Sequence, residues 1–160
     1  EALGGAKDMG IMMFGFGLGA VGGTALALKL RPRRPLVLAV GVCPIVGLWI
    51  LSLAVPMPIW LLFFMALASG IALDLMYANW MTTIQTNVPQ EALSRVGSYD
   101  AFGSLAFAPL GLFFAGPFTH LVGARTALIA VGLMVFIAAL LPLASSEVRH
   151  LQAVTHAEND

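Results

Sequence analysis

The chain has 160 residues, of which 59% are apolar and 10% charged, with a mean hydropathy of +0.92. Soluble domains carry about 25% charged residues, so this composition excludes an ordinary water-soluble domain and points to an integral membrane protein. Eight basic and eight acidic residues cancel, so the totals point to no acidic or basic partner and no nucleic acid is expected, and the single Cys43 excludes an internal disulfide or a multi-cysteine zinc site.

A helix needs about 20 mostly apolar residues to cross the hydrocarbon, and five stretches satisfy this: 9–28, 36–55, 59–84, 101–119 and 126–146. Strands of a membrane barrel would be about half as long and would alternate in polarity. The fold class is therefore all-α, a five-helix transmembrane bundle occupying residues 1–146, with a polar tail over 147–160. Short connections predict that each helix lies antiparallel beside its successor. The sequence opens on Glu1 and soon becomes apolar, which reads as a cut inside a longer protein or after processing.

In the first span Gly15, Gly19 and Gly23 recur every four residues and form one smooth ridge, suited to tight static packing or to a sliding contact. The loop that follows places Lys29, Arg31, Arg33 and Arg34 together. Its basic residues orient the chain and touch anionic headgroups, or one of them latches onto a carboxylate in one state of a transport cycle. The second span contains Pro44, which predicts a kink, and Trp49, which reads as core.

Asp74, in the third span, is the one ionisable residue well inside a stretch. A carboxylate there costs roughly 2.5–3.5 kcal/mol on insertion scales, so it faces a cavity or a partner. At 100° per residue Gly70, Asp74, Tyr77, Ala78, Met81 and Gln85 share a stripe, and Asp74, Tyr77, Met81 and Gln85 are the candidate substrate or proton pathway. Alternatively, Asp74 is a structural carboxylate paired with an arginine. Asn79, Trp80 and Thr83 lie elsewhere on the wheel, for helix-to-helix hydrogen bonds or lipid contact, and Trp60 reads as an interfacial anchor.

Between the third and fourth spans, Pro89 to Val96 reads as a short surface helix carrying Arg95, after which Ser98 caps the fourth span and Asp100 meets its positive dipole end. Arg95 and Asp100 join the cytoplasmic latch set with Arg31, Arg33 and Arg34. Pro109 predicts a kink in the fourth span. Arg34 with Leu38-Ala39-Val40-Gly41 is echoed by Arg125 with Ile129-Ala130-Val131-Gly132, as inverted repeats of a transporter would show.

Lys29, Arg31, Arg33, Arg34, Arg95 and Arg149 fall on one side of the membrane, and Lys7 and Arg125 on the other. This asymmetry places the N-terminus outside and the C-terminus in the cytoplasm of a plasma-membrane protein. His120, His150 and His156 lack ligand spacing, and no glycine loop follows a strand, so no metal, cofactor or enzymatic activity is expected.

The basic loop after a glycine-rich helix, Val88-Pro89-Gln90-Glu91-Ala92-Leu93-Ser94-Arg95-Val96-Gly97-Ser98-Tyr99-Asp100, then Ala108-Pro109-Leu110-Gly111, Ala115-Gly116-Pro117 and Leu121-Val122-Gly123-Ala124-Arg125, together resemble the drug-efflux-like branch of the Major Facilitator Superfamily over nearly the whole chain. The loop departs from that family's motif in lacking its Asp and Gly. The resemblance implies a C-terminal fragment covering the last five of twelve helices, with the missing N-terminal part as partner, and proton-coupled export of a small-molecule substrate by alternating access. Apart from the resemblance, a multi-span membrane scaffold or accessory subunit remains compatible with the residues.

Overall fold

A computed structural model describes residues 5–30 and 35–144, all helical apart from short connections. The elements are α1 (Ala6–Lys29), α2 (Pro35–Val42), α3 (Pro44–Ser52), α4 (Ile59–Asn87), α5 (Gln90–Val122) and α6 (Ala124–Ala144). Among the described residues α1, α4, α5 and α6 are each long and apolar enough to cross a membrane, and the shorter α2 and α3 together occupy the second apolar stretch.

That stretch breaks at Cys43 because Pro44 has no N–H to continue the helical ladder. The chain closes the gap with a tighter turn. Cys43 N–H donates to the Val40 carbonyl at 3.2 Å, and the Cys43 thiol donates to Ala39 O at 3.2 Å. Pro44 then opens α3 from its first position, where a missing N–H costs nothing.

The region before the fourth span differs from its sequence reading. One continuous helix, α5, starts at Gln90, with Pro89 as its N-cap residue in extended backbone, and the connection from α4 shrinks to Val88 and Pro89. Gln90 to Arg95 are mostly good helix formers, and Gly97 alone is too weak a break to stop them. Ser98 is therefore not a cap; its hydroxyl donates back to Ser94 O at 2.7 Å within the helix. Asp100 is likewise interior, a full ten residues from the start of α5. The helix also runs through Pro109 and Pro117. Its 33 residues extend about 50 Å, beyond the ~30 Å hydrocarbon, so the polar end at Gln90 projects past it.

Helix α4 is the hub. It packs against α1, α2 and α3, while α6 lies against α3 and α2. The expected backbone pairing of each helix with its successor therefore fails at α1, whose backbone lies on α4 and which meets α3 through side chains such as Phe16 on Trp49. Closeness of backbone decides this choice, because lipid offers apolar side chains no hydrophobic gain from moving to a helix. The core sits where α1, α3 and α4 meet: Met12, Leu62 and Ala66 are buried, with Phe16, Trp49, Leu53, Met57 and Ile59 around them. Trp49 stacks on Phe16 at 5.6 Å between ring centroids. Trp60 is exposed beside this core.

Between α3 and α6 the glycines interlock reciprocally. A Cβ on Gly47 would come within 2.8 Å of Phe136 backbone, and one on Gly132 within 2.8 Å of Leu51 Cγ. Gly41, which the sequence echo pairs with Gly132, has nothing within 4 Å. The echo is thus not repeated in packing. Gly123 joins α5 to α6 with φ +82°, a conformation that only glycine adopts cheaply, and its N–H satisfies Thr119 O at 2.9 Å.

Candidate functional site

The closest helix contact is the crossing of α1 and α4. Gly15 lies on Phe63, Gly19 on the Leu67 carbonyl, and Gly23 on Ile71 and Asp74, whose Cβ would be 2.8 Å from a Cβ at position 23. Gly70 answers from α4, against Phe16 O and Ala20 N. Ala66 and Ser69, both at 0% exposure, complete the surface. Ser69 Oγ is buried there with no hydrogen-bond partner, as is the indole N–H of Trp49 nearby in the core.

Asp74 stands at the end of this crossing, half-buried. Its Oδ2 accepts a hydrogen bond from Thr24 Oγ1 on α1 at 2.5 Å, the one side-chain hydrogen bond that joins two helices among the described residues. Thr24 Oγ1 also lies 3.2 Å from Ala20 O, one turn back. A hydroxyl has a single proton, so it cannot donate to Asp74 and to Ala20 at once. The arrangement is a three-centre chain from carboxyl to hydroxyl to carbonyl whose direction depends on which groups carry protons.

The stripe expected on α4 is divided by its neighbours. Asp74 faces α1, whereas Tyr77 lines a cavity of about 340 Å³ between α2, α4 and α5, together with Met76, Trp80, Cys43, Asp100 and Ser104. Met81 is half-buried and Gln85 exposed. Asn79 and Thr83 are buried, but their side chains donate to Leu75 O and Asn79 O on their own helix at 2.8 Å rather than to another helix. Trp80 shares the cavity with Tyr77, three residues away and hence on an adjoining part of the same face.

Of the latch set, Arg95 is exposed and lines a separate surface hollow with Ser94, Ser98 and Tyr99, while Asp100 lines the α2–α4–α5 cavity. Arg31, Arg33 and Arg34 lie outside the described residues. Thr24 was missed in the sequence although α1 contains no other hydroxyl and places it directly after Gly23. Among the described residues no group of His, Cys, Asp and Glu could hold a metal ion.

The profile of the transmembrane secretion effector family, a Major Facilitator family, matches residues 1–160. The chain belongs to this family. Neither a curated protein nor a solved structure gives a significant match. As a transmembrane secretion effector, the chain is a multi-pass integral membrane protein of transporter type, and its long apolar helices contact the bilayer. In a transporter family, the carboxyl–hydroxyl contact between two membrane helices and the three-helix cavity are the two places where chemistry concentrates.

Proposed function

We propose that the chain is part of a secondary active transporter of the drug-efflux-like branch, exporting a small organic compound by alternating access in exchange for protons. Further helices N-terminal to it complete the transport cavity. It lies in the cytoplasmic membrane with its N-terminal end outside, the orientation favoured by the uneven distribution of lysine and arginine. The observation that carries the proton coupling is Asp74 bonded to Thr24 across the α1–α4 crossing.

A proton on Asp74 reverses the local hydrogen bonding. The carboxyl then donates to Thr24 Oγ1, freeing the hydroxyl proton for Ala20 O, so both contacts are satisfied together. Without that proton, Thr24 donates to the carboxylate and Ala20 O loses its second donor. Loading and unloading thus change how α1 is held to α4, which is what a coupling site must do. Met81 and Gln85 lie beyond Asp74 toward the cytoplasmic end of α4 and belong to the substrate pathway, and Arg95 belongs to the latch with the loop arginines.

The test is pH-gradient-driven flux of a panel of neutral, anionic and cationic organic compounds in vesicles containing the assembled transporter. Asp74→Asn should reduce flux at least tenfold for every transported compound with expression and thermal stability retained, and Asp74→Glu should restore part of it. Full gradient-driven flux in a normally folded Asp74→Asn protein would exclude Asp74 as the proton carrier.

A further inference from the structure

A cavity of about 400 Å³ lies at the N-terminal end of α1, between α1 and α3. It is lined by Gly5, Met9, Met12 and Met13 around the start of α1 and by Trp49 and Leu53 on α3. Half of this lining is thioether, and offsets of three and four residues put the three sulfurs on one face of the first two turns. Met12 is fixed in the core at 8% exposure, whereas Met9 at 58% and Met13 at 54% are free to change rotamer.

The lining narrows its occupant by what it withholds. It presents no side-chain oxygen, and the indole N–H of Trp49 is buried without a partner, so it is not offered to an occupant. A hydrogen-bonding solute gains little there, and a hard cation would lack the oxygen ligands it demands. A purely apolar molecule would use only carbon, for which leucine serves as well as methionine. Soft monovalent cations are the class that thioether sulfur selects, Cu(I) among them, and a cation also gains from an indole face. This selection turns on donor softness, not on the sum of charges around the cavity.

We infer that Met9, Met12 and Met13 bind one soft monovalent cation, Cu(I) or its analogue Ag(I), with Trp49 as its cation–π partner. The cavity is larger than the ion, so Met9 and Met13 turn inward around the fixed Met12. The bound ion ties α1 to α3, two helices whose backbones do not pack on each other among the described residues. The site stands at the opposite end of α1 from Thr24 and does not depend on the proton-coupling reading.

Silver nitrate titration of the purified chain in nanodiscs of zwitterionic lipid, in chloride-free buffer, tests this without any flux. Cys43→Ala removes the competing thiol, and Trp60→Phe with Trp80→Phe leaves Trp49 as the only tryptophan. Ag(I) should quench Trp49 fluorescence saturably at one ion per chain, whereas Na(I) and Mg(II) should not at about hundredfold excess. Met9→Leu, Met12→Leu and Met13→Leu keep the volume and remove the sulfur, and each should weaken binding about tenfold or more. Met134→Leu on α6, outside the cavity, should leave the affinity unchanged. Circular dichroism equal to that of the parent chain shows that each variant is folded. Absence of saturable quenching in the folded chain, equal quenching by Na(I), unchanged affinity when all three methionines are leucine, or an equal loss in Met134→Leu would each overturn the inference.

Discussion

Helices α1 and α5 are both apolar, glycine-bearing and long enough to span a bilayer, yet α1 has four buried residues and α5 has none. Added Cβ atoms at Gly15, Gly19 and Gly23 would strike α4, whereas at Gly97, Gly103, Gly111 and Gly116 they would meet nothing within 4 Å. The difference lies in spacing. Steps of four keep the α1 glycines within one narrow stripe, but at 100° per residue the α5 glycines fall on all sides of the helix. Glycine content alone therefore does not make a packing helix; glycines in register along one face do.

The strongest test of that contrast is Gly19→Ala. Its Cβ would have to occupy the place of the Leu67 carbonyl, so the crossing must open, at a cost of about 3 kcal/mol. Gly17→Ala, two residues away with open space around it, should show no such loss and stabilise by about 0.5 kcal/mol, as an open helical glycine replaced by alanine does. Unfolding in a graded detergent series would measure both, and equal effects of the two substitutions would mean that the crossing does not set the stability of α1. A smaller effect is expected for Thr24→Val, which removes the hydroxyl bonded to Asp74 but keeps the shape, at about 1 kcal/mol in the same assay. Smallest is Gly111→Ala on α5, where replacing glycine in an open helix face should stabilise by about 0.5 kcal/mol. A clear loss there in the assembled transporter would show that a further helix packs on that face.

The apolar stretches were legible because length and hydropathy are local properties, and they located the helices to within a few residues at α1 and at the start of α4. Partner choice was not legible. Nothing in the short connections reveals that the backbone of α1 lies on α4 rather than on α2 or α3, since that depends on which helices carry small residues where they meet. The Ser98 cap failed for a related reason: a hydroxyl near a span can cap or bond back to its own turn, and continuous helix formers from Gln90 settle it. Asp74 stood out by its cost in the membrane, but its partner Thr24 lies fifty residues away. The aromatic residues of the cavity were half visible. Tyr77 fell on the stripe of Asp74, while Trp80 was assigned to another face because a single-helix wheel says nothing about how α5 closes the opposite wall.

The α1–α4 contact is backbone against backbone, with Gly19 seated on Leu67 and Gly70 seated between Phe16 and Ala20. Such a contact has no compliant layer of side chains to absorb a push. Sliding α1 along α4 would drive each glycine over the ridge between two seats, about 6 Å apart for a four-residue step. The two helices therefore behave as a single strut about 36 Å long rather than as a bearing. A load applied to α1 at one membrane face is delivered to α4 along this seam, and the Asp74–Thr24 bond at its end is the one contact in it that a proton can rearrange.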